Sequence, residues 1–368
     1  MVKEGKIGAF EATWMLVAFC SAKMMLMFPR SMIDTGGCAG WIIPIISSLT
    51  GLLGLYIIIS LLKRFPGQTI VEAGQSAAGP IVGFIAAMFY LAFFIVSVSM
   101  VSREFSESLK VLALPITPLN VILILVIIAI ALCVFFGLET MSRMSILIVI
   151  STLVLIVIVI LFLFADYNIN YLFPLLGKGP TNLFLWGIIK SSNFSELLFA
   201  GLIVNSLRGW ENTFKAGRNA ILLSTLAMTV VVSAVIMTFG SNMGDSLYFP
   251  AFRLTKEIHF GRFFQRAEPI FLLFWMLSGL LYCAIGLYAS IITFTRMCKL
   301  SHYKPLIPAF AIIIFTLAQL PHDLGEIFRL DSDVLRNSSW VPTFVVPLVI
   351  LIIAAIRGKK TKKSILEE

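Results

Sequence analysis

The chain has 368 residues, 59% of them hydrophobic and only 13% charged. A soluble domain holds about 45–50% apolar and about 25% charged residues, so the composition excludes one and points to a polytopic membrane protein. The net charge of +9 is no nucleic-acid signature, because the basic residues sit at the ends of apolar runs, where membrane topology accounts for them.

A helical span needs about 20 residues, and ten fit the apolar runs: residues 9–27, 40–62, 78–102, 118–138, 144–165, 183–206, 218–240, 270–296, 304–320 and 341–357. The fold class expected is an all-α integral membrane protein. It divides into a first five-helix repeat over residues 1–165, a second over 166–357, and a basic tail over 358–368. With the N-terminus in the cytoplasm, the inner segments hold sixteen Lys and Arg residues and the outer ones ten, which places both termini inside. The first apolar run continues to Pro29 without a small-residue cleavage site, so no cleavable signal is expected.

The first span breaks around Ser21-Ala22-Lys23-Met24. Pro29, a few residues on, removes a backbone donor and restricts its neighbour. In the third span, Tyr90 and Phe94 share a helical face. The sixth carries Lys190-Ser191-Ser192-Asn193-Phe194-Ser195-Glu196, a polar, weakly helical run with a carboxylate inside the apolar stretch. A charge near mid-bilayer costs about 3 kcal/mol on insertion scales, so such a residue faces a cavity or a partner. The eighth carries Ser278-Gly279 and Cys283-Ala284-Ile285-Gly286, small residues that let helices approach closely.

Spans 1 and 6 open the two five-span halves, and both are interrupted. In an inverted-repeat transporter fold that correspondence marks the binding site, because unwound backbone at membrane depth is tolerated only where it lines protein or water. The candidate ligand-binding set is Ser21, Ala22, Lys23, Met24, Tyr90, Phe94, Asn193, Phe194, Ser195, Glu196 and Cys283. Lys23 and Glu196 are expected to compensate one another. Plainer readings stand beside these: a snorkelling Lys23, a structural Glu196, and ordinary interhelical packing for Tyr90 and Cys283.

Two outer segments are long. Residues 240–269 are amphipathic and are expected to lie across the outer face as short helices, with Phe263 and Arg266 in a lid. Residues 321–340 mix Asp323, Glu326, Asp331 and Asp333 with Arg329 and Arg336 and read as a solvated cap. The five cysteines lie in or beside apolar runs without CxxC spacing, as small buried hydrophobes. No Walker loop, HExxH motif or triad pattern is present, so no enzyme, cofactor or metal is expected.

Several stretches resemble one family. Phe65-Pro66-Gly67-Gln68-Thr69-Ile70-Val71-Glu72 follows the second span, and Tyr248-Phe249-Pro250-Ala251-Phe252-Arg253-Leu254, Gly261-Arg262-Phe263-Phe264-Gln265-Arg266-Ala267-Glu268 and Phe274-Trp275 follow the seventh. They are similar to the endospore germinant-receptor B subunits, the spore germination permease family. The resemblance implies a fold like the amino acid–polyamine–organocation transporters and a site between spans 1, 3, 6 and 8. It also implies a spore inner-membrane subunit that senses a small nutrient, such as an amino acid, beside A-type and C-type partner subunits. The rival readings are a secondary amino-acid transporter, proton-coupled through Glu196, and an assembly protein that has lost its ligand. Small residues are more usual in that family where Lys23 stands. Lys23 would hold a ligand carboxylate, replace a coupling cation, or fill part of the site.

Overall fold

The computed structural model describes residues 5–244, 246–258 and 268–358. Among them no strand occurs. Seven helices are long and apolar enough to cross a membrane, and three shorter or interrupted ones complete the ten. They are α1 (Ala9–Ser21), α2 (Ile43–Arg64), α3 (Pro80–Leu112), α4 (Leu119–Phe136), α5 (Leu138–Phe162), α6 (Pro180–Ile189), α7 (Trp210–Phe239), α8 (Glu268–Met297), α9 (Ile307–Ala318) and α10 (Leu324–Ile356).

The helices sort by how much of each they bury. In α4 and α5 only 33% of the most apolar window is buried, against 61% in α7 and α8. Exposed Leu125, Phe136, Leu147 and Leu161 therefore face lipid, which accepts apolar side chains as readily as a protein core does. The interior is built on α1, α3, α8 and the chain after α6. Phe19 there meets Phe94, Phe199 and Tyr282 with ring centroids 6.3, 5.8 and 4.9 Å away. Glycines permit this packing. A Cβ at Gly286 of α8 would run into Val98 and Phe19, and one at Gly279 into Phe105.

The two ends of the bundle group their segments as ten alternating spans require. At one end Arg30 lies 4.3 Å from the Tyr248 ring and 4.7 Å from that of Phe328, and the Lys178 ammonium donates to the Asp34 carbonyl. At the other end Arg296 pairs with Glu72 at 3.1 Å, Lys63 lies 4.2 Å from the Trp210 ring, and Lys304 lies 4.6 Å from Phe135.

Two expectations are corrected. The third span does not stop at 102. The helix runs to Leu112, so Arg103 and Glu104, placed outside by the sequence, lie within it and are buried. Residues 321–340 are not a solvated cap either. From Leu324 the chain is helical and leads into the last span, and Ile327, Leu335 and Arg336 are buried. The acids there mask an apolar stripe at helical spacing, Leu324, Ile327 and Leu335. Asp331 pairs with Arg336 at 3.3 Å, which offsets the charge that made the segment look aqueous. Part of the amphipathic outer segment is helical at Pro250–Lys256. The lid residues Phe263 and Arg266 lie outside the described residues.

Candidate functional site

Both expected breaks are present. After α1 the chain tightens into a 3-10 turn, Ala22–Met25, and restarts as a helix at Phe28–Gly36. Pro29 dictates the restart: it cannot donate to the preceding turn but fits the first positions of a new helix. After α6, residues Lys190–Leu197 form a 3-10 segment, followed by a short helix, Leu198–Leu202. Eight residues is long for 3-10 geometry. The serines and asparagine in it compete for backbone partners and weaken an α-helix. Neighbours take up the carbonyls this frees. Trp340 Nε1 donates to Ile189 O and Ser47 Oγ to Gly187 O, each at 2.8 Å.

The Lys23 ammonium joins the two breaks. It donates to the Asn193 carbonyl, and to each carboxylate oxygen of Glu196 at 3.0 Å. Glu196 is fully buried and has two further donors, Arg336 Nη1 at 2.9 Å and the Tyr282 hydroxyl at 3.0 Å, both to Oε1. Ser97 Oγ stands 2.9 Å from that hydroxyl, and Asp331 holds the far side of Arg336. The cluster thus draws on the helix-1 break, α3, the segment after α6, α8 and α10. The Lys23 ammonium sits on the unwound carbonyl of Asn193 in segment 190–197.

The other candidates separate. Ser21, Ala22 and Met24 line a small space against Thr152 and Ser278, and the Ser21 hydroxyl donates to Val17 O within its own helix. Phe94 reaches the site's apolar floor through Phe19. Tyr90 lies one turn away with its buried hydroxyl unpartnered among the described residues. Phe194 packs instead against Gly51 of α2, where an added Cβ would stand 3.1 Å from Phe194 Cβ. Cys283 is buried in α8 and does not line the charged cavity. The Oγ atoms of Ser191, Ser192 and Ser195 and Nδ2 of Asn193 are buried with no hydrogen-bond partner among the described residues. Buried polar atoms are nearly always paired, so four such atoms in one segment are unusual. Of these four residues Asn193 lines a cavity of about 20 Å³, together with Lys23, Met27, Glu104, Phe328, Asp331 and Arg336, roughly room for one water.

The sequence reading missed Arg336, Asp331, Glu104 and Tyr282. Tyr282 stands among the small residues of α8 and reads as packing. Glu104 falls just past the expected end of the third span, and Asp331 and Arg336 fall in the segment expected to be an outer cap.

The family comparison matches residues 6–327 to the model described as "Spore germination protein". Spore germination protein YndE of Bacillus subtilis (strain 168) is 23% identical over 368 residues, covering 97% of this chain and 98% of the relative. Spore germination protein KB of the same organism is 21% identical over 374 residues, covering 100% and 99%. Among solved structures, a substrate-bound, outward-open Na+-coupled sialic acid symporter superposes with a TM-score of 0.65 at 12% identity, covering 95% of this chain and 89% of that one. That likeness carries the transporter-like fold, with helices 1 and 6 broken. This multi-pass membrane chain belongs to the spore germination protein family.

Proposed function

We propose that this protein is the nutrient-sensing membrane subunit of a spore germinant receptor. A small ligand, such as an amino acid, binds between the broken helices and signals to A-type and C-type partner subunits in the spore inner membrane. The observation that carries this reading is the set of unpartnered buried polar atoms on Lys190–Leu197, a segment that Lys23 joins to the helix-1 break and whose Asn193 lines the small cavity. Family membership and the names of the relatives, among them Spore germination protein A2 and Spore germination protein B2, support the germination context.

The cavity has room for about one water, so ligand entry requires movement of the segments around it. A ligand shifts such an equilibrium only by binding the two forms differently. The ceiling offers a movable part. Phe328 and Ile327 begin α10, and Arg30 stacks on Phe328 and on Tyr248. Opening that stack would release α10, which carries Arg336 and Asp331. The role proposed is non-enzymatic.

Two measurements on the full chain separate receptor from transporter. Deleting the gene is expected to abolish the germination response to at least one nutrient. Proteoliposomes holding the purified protein are expected to show no sustained uptake of that nutrient in labelled form. Steady concentrative uptake driven by a proton gradient would favour the transporter instead.

A further inference from the structure

A groove on the outer surface of the bundle, away from the broken helices, is built from the opening turns of α1 and the first half of α7. Its volume is about 510 Å³, against about 20 Å³ for the cavity at Asn193. Phe10 and Trp14 of α1 and Leu222 and Leu223 of α7 form apolar walls, and Phe10 and Leu222 are exposed. Both helices are spans, so these walls meet acyl chains, which are as apolar as they are. From Lys215 to Leu223 the α7 side covers about 12 Å, at about 1.5 Å per residue.

The groove is charged at one end only. Lys215 and Asn219 line it within the first three turns of α7, and no carboxylate does. Arg218 donates to Asn219 Oδ1 from Nε at 3.3 Å and from Nη2 at 3.2 Å, which holds a second cation at the rim. Neither Lys215 nor Arg218 has an ion pair among the described residues. Trp14 packs edge-on against Phe10 with ring centroids 6.0 Å apart, and its Nε1 is buried with no hydrogen-bond partner among the described residues. A buried donor without an acceptor is costly. This part of α7 follows Trp210, whose ring lies 4.2 Å from Lys63, at the end of the bundle expected to face the cytoplasm.

We propose that the groove binds one anionic phospholipid of that leaflet, its phosphate on Lys215 and Asn219 and an acyl chain along the walls. Apolar sides with unpaired positive charge at one end match a lipid that is apolar along its tails and negative at its head. The ester groups between the two supply acceptors for the Trp14 N–H. A free phosphate would leave the walls uncovered, and an apolar partner helix would leave Lys215 without a counter-charge. The inference does not depend on the nutrient-sensing reading.

The test counts lipid retained by the purified full chain in native mass spectra, titrated with phosphatidylglycerol, phosphatidylcholine or glycerol 3-phosphate. The variants are Lys215→Gln and the double variant Lys215→Gln with Arg218→Gln. Lys299→Gln, at an exposed residue just past α8 at the same end, controls for general surface charge. We expect one phosphatidylglycerol to bind at least tenfold more tightly than phosphatidylcholine. Lys215→Gln should weaken it about fivefold, the double variant at least tenfold, and Lys299→Gln not at all. Equal retention of the two phospholipids, wild-type retention in Lys215→Gln, or an equal loss in Lys299→Gln would each overturn the site. Glycerol 3-phosphate held as tightly as the phospholipid would overturn the lipid assignment.

Discussion

Glu196 is the residue on which the site's electrostatics turn. It accepts from Lys23, Arg336 and Tyr282 at 2.9–3.0 Å while fully buried. Removing it strands two buried cations, whereas removing Lys23 leaves Glu196 still held by Arg336. Breaking a buried pair from one side costs about 3–5 kcal/mol. Glu196→Gln is therefore expected to lower the melting temperature more than Lys23→Met. The double variant should be less damaged than the two single losses summed, by about 1 kcal/mol or more. Melting curves of the four proteins in one detergent check this, and strictly additive losses would refute the coupling. Lys23 and Glu196 were legible in the sequence because a charge inside an apolar run has few explanations. Glu104 and Arg336 were not, because Glu104 stands just past the expected third span and Arg336 just before the expected tenth, where a charge reads as aqueous.

At the scale of elements, the sequence showed where helices fail better than where they end. Pro29 and the run Lys190–Glu196 each contradict a continuous helix by local chemistry alone, and both breaks are found there. The end of α3 and the start of α10 are set by tertiary partners instead. The Met27 amide engages Glu104, and Glu196 engages Arg336, and neither contact is visible along the chain. α10 departs from regular geometry at the site, with a π-helical turn at Leu330–Leu335 directly before Arg336. Such turns recur at functional positions. The packing of α8 on α3 yields a sharp expectation. Gly286→Leu places a side chain where Val98 and Phe19 already sit, and overpacking of this kind costs about 1–3 kcal/mol or more. Its folded yield should fall well below that of Leu287→Ile, a volume-conserving change of a buried neighbour. Equal yields would mean that α3 and α8 do not meet as described. Trp340→Phe removes the donor to Ile189 O and is expected to cost about 1 kcal/mol, read as a lower melting temperature.

For the whole molecule, the ten alternating spans bring Arg30, Asp34, Lys178, Tyr248 and Phe328 to one end and Lys63, Glu72, Arg296 and Lys304 to the other. From the excess of Lys and Arg the second end is expected to face the cytoplasm. Cys298 follows α8 at that end and is exposed. A membrane-impermeant thiol reagent is therefore expected to label Cys298 only after the cells are permeabilised, and labelling of intact cells would reverse the orientation. Nutrient binding where the two broken helices meet is read directly by hydrogen exchange of the full chain in nanodiscs. A nutrient that triggers germination through this protein should slow exchange in Ala22–Met27 and Lys190–Leu197 more than elsewhere. Unchanged exchange in both segments at saturating nutrient, or protection confined to another part of the chain, would contradict the account.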